Sequence, residues 1–168
     1  VGIGSIADFR TGVIAFGGGT VGDTAGLAAS LALRGVPVVH APTTLLAASD
    51  SALGGKTAVN LPAGKNLAGT FHHPRLVCAD TRLLATLSDR DVRSGLAEVF
   101  KSALLSAAFW RRLPALAGPL ARRDEGALGE AVRRSLRVKA EIVSADPDEA
   151  FGRRHLLNLG HTVAHALE

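Results

Sequence analysis

The N-terminal half of the chain alternates short apolar runs with glycine-rich turns, and this pattern predicts an α/β unit. Residues 13–16 (VIAF) read as a buried strand, and an Ala/Leu-rich stretch at about 24–34 reads as the helix that follows it. Further strands are predicted at 38–40 and 76–79. Because a strand, a helix and a second strand usually form a right-handed parallel crossover, we expect a parallel, Rossmann-like sheet.

From residue 88 onward the apolar positions take helical spacing. Ser88 precedes two acids and marks a helix start. Apolar residues then recur at i, i+3, i+4 and i+8 (Leu96, Val99, Phe100 and Leu104), which gives this helix one apolar face. More helices are predicted at about 108–120, 125–145 and 154–168, and the sequence DPDE at 146–149 ends the second of them.

Between these halves lies a polar stretch at 50–66, DSALGGKTAVNLPAGKN. It lacks the period of a buried helix or strand, so it predicts a packed functional loop, with a solvated surface loop as the alternative. Its lysines and backbone N–H groups could hold an anion. Residues 67–74 read as another loop. Before the stretch, Thr43 and Thr44 follow a predicted strand, where α/β sheets bind ligands, although they could equally cap a helix.

Composition narrows the class of protein. The 168 residues are 47% hydrophobic and 20% charged, which is typical of a globular protein. One cysteine, Cys78, excludes an internal disulfide framework, and no apolar run is long enough for a membrane span. The formal charge is +4, but the arginines are scattered and aromatic residues are few. We therefore expect an anionic small molecule as the partner, with no nucleic acid and no membrane.

Lysine and asparagine are scarce, which makes their positions informative. Of the 19 basic residues only four are lysines, and an ammonium and a guanidinium are not interchangeable at a binding site. The lysines are Lys56, Lys65, Lys101 and Lys139, and the asparagines are Asn60, Asn66 and Asn158.

The glycine turn after the first strand is a candidate anion site. Gly17, Gly19 and Gly22 satisfy GxGxxG ahead of a helix, where backbone N–H groups can bind phosphate. No acid ends the next strand, so the ordinary dinucleotide fingerprint is incomplete. Asp23 is interpreted either as a helix cap or as a ligand of a cofactor hydroxyl.

Two helical clusters could carry chemistry. Glu98 and Lys101 share a helix face; a surface ion pair is the common case, but Glu98 lies in an apolar run (GLAEVFK) and needs a partner or a metal. Asn158, His161 and His165 fall on one face of the last predicted helix, and the two histidines have the spacing of a metal pair. The glutamate of HExxH is missing, so a zincin protease is not expected.

Taken together, these motifs resemble the 3-dehydroquinate synthase family of sugar phosphate cyclases. GGGTVGD, RG, PTT, the 50–66 stretch, GLAEVFK and LLNLGHTVAH occur in the order and spacing of that family, over residues 14–168. The resemblance implies an α/β NAD-binding part (within residues 1–86) followed by an all-helical metal-binding part (within residues 87–168). It also implies NAD, one divalent metal (zinc or cobalt), a homodimer and a cytoplasmic enzyme. The implied reaction converts 3-deoxy-D-arabino-heptulosonate 7-phosphate to 3-dehydroquinate and phosphate, in the shikimate pathway of aromatic amino acid biosynthesis.

The resemblance also assigns roles to individual residues. Cofactor contacts are expected from Gly18, Gly19, Asp23, Thr43, Thr44, Lys56 and Lys65. Substrate contacts are expected from Arg34 (reaching the neighbouring subunit), Asp50, Lys56, Asn66, Lys139, Glu149, Arg154 and Asn158. Catalytic roles are implied for Asp50, Lys101, Asn158 and His165, and metal ligation for Glu98 and His161.

The chain departs from the family pattern in three places. Ala150-Phe151 adds one residue after Glu149, which changes the aim of that side chain, and Ser102-Ala103 is unusual after Lys101. The third metal ligand and the first strands are expected outside these residues, so the chain is expected to be the middle of a longer enzyme, inactive alone. The alternatives are a secondary-metabolism cyclase resembling 2-deoxy-scyllo-inosose synthase, or an inactive binding or scaffold remnant.

Overall fold

The computed structural model describes residues 11–160. The strands are β1 (Val13–Gly17), β2 (Val38–Pro42), β3 (Lys56–Leu61), β4 (Gly64–Phe71) and β5 (Leu76–Val77). The helices are α1 (Gly19–Leu31), α2 (Asp89–Leu104), α3 (Ala107–Ala121) and α4 (Glu125–Ala145). Shorter helical turns cover Ala32–Arg34, Ala47–Ser51, Thr81–Thr86 and Arg153–Asn158.

The N-terminal part is a parallel sheet with one helix on its face, as predicted. The strand order is β1-β2-β5 and both pairs are parallel. Ala15 and Val38 face α1 and bury Ala29 between them in a small core. The helix starts earlier than predicted, at Gly19, because Gly18 takes the N-cap position. Asp23 consequently lies inside α1, so its interpretation as a helix cap is wrong.

The segment predicted as two loops, 50–66 and 67–74, contains a β-hairpin instead. β3 and β4 pair antiparallel, with Thr57 opposite Thr70, and the register shifts near Val59. That shift and the glycines of β4 hide the two-residue alternation by which a strand is recognised. The turn ahead of β3, where Gly54 has a φ of 116°, and residues 72–74 after β4 remain connections.

The hairpin packs against α1 through a glycine and a chain of hydroxyls. A Cβ placed on Gly26 would lie 2.5 Å from Cγ2 of Thr57, so only glycine permits this approach. The hydroxyls of Thr57 and Thr70 are 2.9 Å apart, and Thr70 donates to Ser30 of α1 at 2.9 Å. The hairpin therefore stands beside the sheet as a wall on the C-terminal side of α1.

The C-terminal part is helical, as predicted. The side chain of Ser88 caps α2 by accepting from Asp91 N, and Asp124 caps α4 by accepting from Ala127 N. The bounds of α4 are those predicted. The apolar face predicted for α2 is only partly buried: Val99 is in the core, whereas Phe100 is half exposed and meets Trp110 edge to face at 5.7 Å.

The two parts share packing at one place. Leu45 and Ala48, which follow β2, belong to the same core cluster as Val99, Phe109 and Leu128 of the helical part. Gly95 of α2 lets that segment approach, since a Cβ there would lie 2.6 Å from Cβ of Leu45. The chain after β2 is thus fixed against α2 and α4.

The last predicted helix, 154–168, is described only at its start. Residues Arg153–Asn158 form a 3₁₀ turn rather than an α-helix. The predicted stripe of Asn158, His161 and His165 cannot be followed, because both histidines lie outside the described residues. In the 11–160 range, none of the helices has the length and apolarity to cross a membrane.

Candidate active site

A cleft of about 580 Å³ opens between the hairpin, α1 and the helical part. It brings together residues that are far apart in sequence, and eight of the predicted site residues line it. They are Asp23, Asp50, Lys56, Asn66, Lys101, Lys139, Arg154 and Asn158. The elements that carry them are α1, the turn after β2, the two strands of the hairpin, α2, α4 and the 153–158 turn.

Asp50 lies at the centre of the cleft between two buried lysines. Its Oδ1 is 2.6 Å from Nζ of Lys139, and its Oδ2 is 3.6 Å from Nζ of Lys101. Lys139 also donates to the backbone carbonyl of Asp50 at 2.8 Å. Both lysines are less than a tenth exposed. A carboxylate from the turn after β2 thereby joins an ammonium of α2 to an ammonium of α4.

The charges of this cluster change each other's titration. Burial opposes ionisation of Asp50, but the attraction of Lys139 and Lys101 holds the pKa of its carboxyl below the ordinary value. Burial lowers the pKa of Lys139, and Asp50 offsets that only in part. The carboxyl of Asp50 therefore stays ionised, while Lys139 is a cation that can lose its proton more easily than a surface lysine.

Glu98 adjoins this cluster from α2. Its Oε2 lies against the ammonium of Lys101, one helical turn away, and forms no hydrogen bond of normal geometry although it is buried. A buried carboxylate needs a cation beside it, and Lys101 supplies that positive charge here. Residues 11–160 contain no group of three His, Cys, Asp or Glu that could hold a metal. Glu98 fits as one ligand, and the predicted His161 lies outside the described range.

Arg154 and Lys56 also line the cleft, next to the turn that contains Gly54. Arg154 donates to the carbonyl of Gly54 at 2.8 Å, and its guanidinium lies 5.4 Å from the ring centre of Phe71. Lys56 is half exposed at the mouth, and its Nζ lies 2.5 Å from Oε2 of Glu149. The sequence reasoning did not select Phe71; a lone aromatic in a presumed loop carried no periodic signal.

The glycine turn at the start of α1 forms a recess next to the cleft. Gly18 and Gly19 line it together with Ser51, which also lines the main cleft. A Cβ on Gly18 would lie 3.1 Å from Cγ2 of Thr44. Because Gly18 at the N-cap has no side chain, the first N–H groups of α1 have no side-chain cap. Helix N-termini commonly bind anions, but the recess itself is only about 10 Å³, so the predicted cofactor contacts of Gly18 and Gly19 stay predictions.

Asp23 lines the cleft, whereas Thr43 and Thr44 line neither the cleft nor the recess. Asp23 is half-buried, and burial raises the pKa of its carboxyl while Lys139 lowers it only in part. Thr44 caps the following helical turn, since its Oγ1 accepts from Ala47 N at 3.2 Å. Thr43 N donates to the carbonyl of Gly17 at 2.9 Å. Capping by Thr44 is confirmed and leaves its predicted cofactor contact a prediction.

Two predicted site residues lie away from the cleft. Arg34 is exposed at the end of the helical turn after α1, with a φ of 67°, and Lys65 is exposed on β4. Neither side chain lines the cleft. Glu149 lies behind the wall and reaches the cleft only through Lys56.

Comparison with known proteins identifies the family. A family model described as "3-dehydroquinate synthase N-terminal" matches residues 5–94, and one described as "3-dehydroquinate synthase C-terminal" matches residues 95–168. A curated 3-dehydroquinate synthase of Halorhodospira halophila is 56% identical over 157 residues, which are 93% of this chain and 44% of that protein. The one of Nitrosomonas europaea is 51% identical over 160 residues, 95% of this chain and 43% of that protein. The chain thus spans less than half the length of these relatives.

Solved structures give the same architecture. A 2-epi-5-epi-valiolone synthase from Streptomyces hygroscopicus subsp. jinggangensis 5008, with NAD+ and Zn2+ bound, has a TM-score of 0.86 at 36% identity, covering 98% of this chain and 46% of its own. A 2-deoxy-scyllo-inosose synthase complexed with carbaglucose-6-phosphate, NAD+ and Co2+ has a TM-score of 0.79 at 35% identity, covering 95% and 44%.

Proposed function

Because the chain belongs to the 3-dehydroquinate synthase family, we propose that it carries most of the active site of a 3-dehydroquinate synthase. The proposed reaction is the cyclisation of 3-deoxy-D-arabino-heptulosonate 7-phosphate to 3-dehydroquinate with loss of phosphate, a step of the shikimate pathway. The enzyme would be a carbon–oxygen lyase acting in the cytoplasm.

The observation that carries this proposal is the composition of the cleft. Among the described residues that line it, four cations (Lys56, Lys101, Lys139 and Arg154) face two carboxylates (Asp23 and Asp50). Cations thus outnumber carboxylates in the lining itself, while Glu98 and Glu149, which pair with Lys101 and Lys56, stand just outside it. A lining of this kind suits a sugar phosphate, since ammonium groups bind phosphate as point charges. Two of the cations are buried lysines, which Asp50 holds at the cleft surface by ion pairs.

The roles of this chain's residues follow from their positions. Asp50 keeps Lys101 and Lys139 oriented toward the bound substrate, and burial of all three keeps water from their inner faces. Lys139, whose pKa is lowered, can hold or release a proton at Nζ while the carboxyl of Asp50 stays ionised. Lys56, Asn66 and Arg154, which also line the cleft, would bind the phosphate and hydroxyl groups of the substrate. His165 and Asn158 are proposed as catalytic neighbours.

Two cofactors are proposed. NAD would bind at Gly18, Gly19 and Asp23, with Thr43, Thr44, Lys56 and Lys65 as further contacts. Glu98 and His161 would bind one divalent metal, zinc or cobalt. When bound, NAD supplies reversible oxidation of a substrate hydroxyl and the metal polarises the oxygen of that hydroxyl.

Three further expectations belong to the complete protein. We propose that it is a homodimer in which Arg34 of one subunit reaches the cleft of the other. The proposed boundary between the NAD-binding and metal-binding domains is residue 86.

A related cyclase is the second candidate, favoured by the structural likeness to a 2-deoxy-scyllo-inosose synthase at 35% identity. The identities of 51–56% to curated 3-dehydroquinate synthases favour the first. The test is to assay the complete protein that contains this chain with heptulosonate 7-phosphate and, separately, with glucose 6-phosphate. Phosphate release from the first alone supports the proposal; turnover of glucose 6-phosphate alone, or of neither, contradicts it.

A further inference from the structure

Asp146 is a fully buried carboxylate immediately after α4. Its Oδ1 accepts from Phe151 N at 3.0 Å and its Oδ2 accepts from Arg154 N at 3.4 Å. Burial alone would raise the pKa of this carboxyl, but backbone N–H groups of residues 150–154 hold it below its ordinary value. The chain from 147 to 154 is thus folded around one negative charge.

A negative charge at this position is electrostatically unfavourable unless neighbouring groups compensate it. The C-terminal end of a helix carries partial negative charge, so a carboxylate there is repelled by the helix dipole. Asp146 nevertheless stands at the C-cap of α4 with no exposed surface. The backbone N–H groups of the turn compensate that cost, which points to a role for the turn itself.

Two side chains of the turn that Asp146 organises, which we call its two arms, contact the same segment of the cleft wall. They are Arg154 and Glu149. Through the first, Arg154 donates to Pro147 O at 2.5 Å and to Gly54 O at 2.8 Å while almost fully buried. Through the second, Glu149, with a left-handed φ of 58°, pairs with Lys56 at 2.5 Å. The segment 54–56 is therefore held from behind at two points.

Glycine at position 54 is part of the same arrangement. A Cβ on Gly54 would lie 3.0 Å from Nη2 of Arg154 and 3.3 Å from Cε of Lys139. The backbone at Gly54 is therefore wedged between the first arm and the central lysine pair. A shift of the turn would be transmitted to Lys139 as well as to Lys56.

We propose that Asp146 is a positioning residue of the cleft: its buried carboxylate fixes the 147–154 turn, which through Arg154 and Glu149 sets the place of Gly54 and Lys56. Asp146 touches no substrate in this arrangement. Its effect on turnover rests on the proposed function, whereas its effect on anion binding by the cleft does not.

A double-mutant cycle in the complete protein tests this. Asp146→Asn keeps the size of the side chain but removes its charge and one acceptor, and we expect kcat/KM for heptulosonate 7-phosphate to fall about tenfold or more. Because the effect passes partly through Lys56, the loss in the Asp146→Asn, Lys56→Ala double variant should be at least about threefold smaller than the product of the single losses. Asp148→Asn, two residues away and exposed, is the matched control and should change little.

The affinity for inorganic phosphate, measured by calorimetry across the same four proteins, separates the two proposals. If the wild type binds phosphate but turns over no sugar phosphate, the proposed function fails, and the cycle on phosphate affinity still decides the role of Asp146. The inference is overturned if the loss in the double variant equals the product of the two single losses. It is also overturned if Asp146→Asn has the same kcat/KM and the same phosphate affinity as the wild type. Should Asp146→Asn not fold, Glu149→Gln replaces it in the cycle, and multiplicative losses there overturn the inference equally.

Discussion

At the scale of single residues, the cleft depends on how one carboxylate is shared. Asp50 contacts Lys139 with one oxygen and Lys101 with the other, and Lys101 is also paired with Glu98. Removing one partner of a buried ion pair normally leaves an uncompensated charge. Here the loss is limited, because Lys101 keeps Glu98 and Lys139 can give up its proton.

This leads to a prediction for Asp50→Asn. Without the charge of Asp50, the pKa of Lys139 in the folded state should fall further below its unfolded value. Between those two pKa values the unfolded chain binds the extra proton, so raising the pH favours folding. The melting temperature of the variant should therefore rise relative to wild type as the pH increases toward the unfolded lysine value of about 10.4. Thermal unfolding followed by circular dichroism measures it, with Asp148→Asn as control; parallel curves would refute the argument.

The sequence identified this cluster by composition but not by geometry. Scarce lysines among many arginines pointed to Lys56, Lys101 and Lys139, and all three line the cleft. The same argument selected Lys65, whose side chain lies outside it. Composition can indicate that lysine is favoured at a binding site. It cannot indicate on which face of a strand a lysine lies, because that depends on the pairing register of the strands.

At the scale of elements, contact between the hairpin and α1 sets one wall of the cleft. Gly26 and Thr57 make that contact, and there is no room for a methyl group between them. Gly26→Ala should therefore push the hairpin outward and destabilise the chain by about 1–2 kcal/mol, despite the better helix propensity of alanine. Gly129→Ala in α4, where an added Cβ would have only ordinary contacts, should stabilise by about 0.5–1 kcal/mol. Urea unfolding compares the two, and equal effects would contradict the packing argument.

Elements with local signals were predicted well, and elements that depend on distant partners were not. Asp124 before α4 and the Asp-Pro after it mark both ends of that helix within the sequence itself. The hairpin has no such marks: glycines and a register shift interrupt β3 and β4, and their stability comes from α1. Burial of Asp146 was also missed, because its partners are backbone N–H groups of a turn that has no periodic pattern.

A second prediction at this scale concerns the link between α3 and α4. Glu130 accepts from Arg112 of α3 and Arg134 of α4, and these hydrogen bonds lower the pKa of its carboxyl to about 2. Since the folded pKa is depressed, the stabilisation is present above the unfolded value near 4.5 and is lost as the pH falls toward 2. Glu130→Gln should cost about 1 kcal/mol at neutral pH, after allowance for solvent screening.

That cost should disappear on acidification. Melting temperatures of wild type and Glu130→Gln should converge as the pH approaches the folded pKa of about 2. Glu141→Gln, exposed on the same helix, serves as the control for the loss of one surface charge. A difference between wild type and Glu130→Gln that stays constant across the acid range would mean that packing, rather than charge, holds α3 to α4.

At the scale of the whole molecule, the cleft is the place where the two parts are joined. The segment after β2 contributes Leu45 and Ala48 to the helical core and Asp50 to the lysine pair, so the same few residues carry both packing and charge. A ligand that contacts both walls should therefore stabilise the sheet part and the helical part together, as one cooperative unit.

Phosphate binding to the described chain tests this coupling. Inorganic phosphate should raise the melting temperature in a saturable way, by a free energy of about 1.4 kcal/mol at ten times its Kd, whereas sodium chloride at matched ionic strength should not. Lys56→Gln, at the mouth of the cleft, should weaken the effect, and Arg111→Gln, exposed on α3, should leave it unchanged because its charge lies outside the cleft. If phosphate stabilises both variants as much as it stabilises the wild type, the anion binds outside the cleft. If the chain unfolds in two transitions and phosphate raises the melting temperature of only one of them, the cleft does not join the two parts.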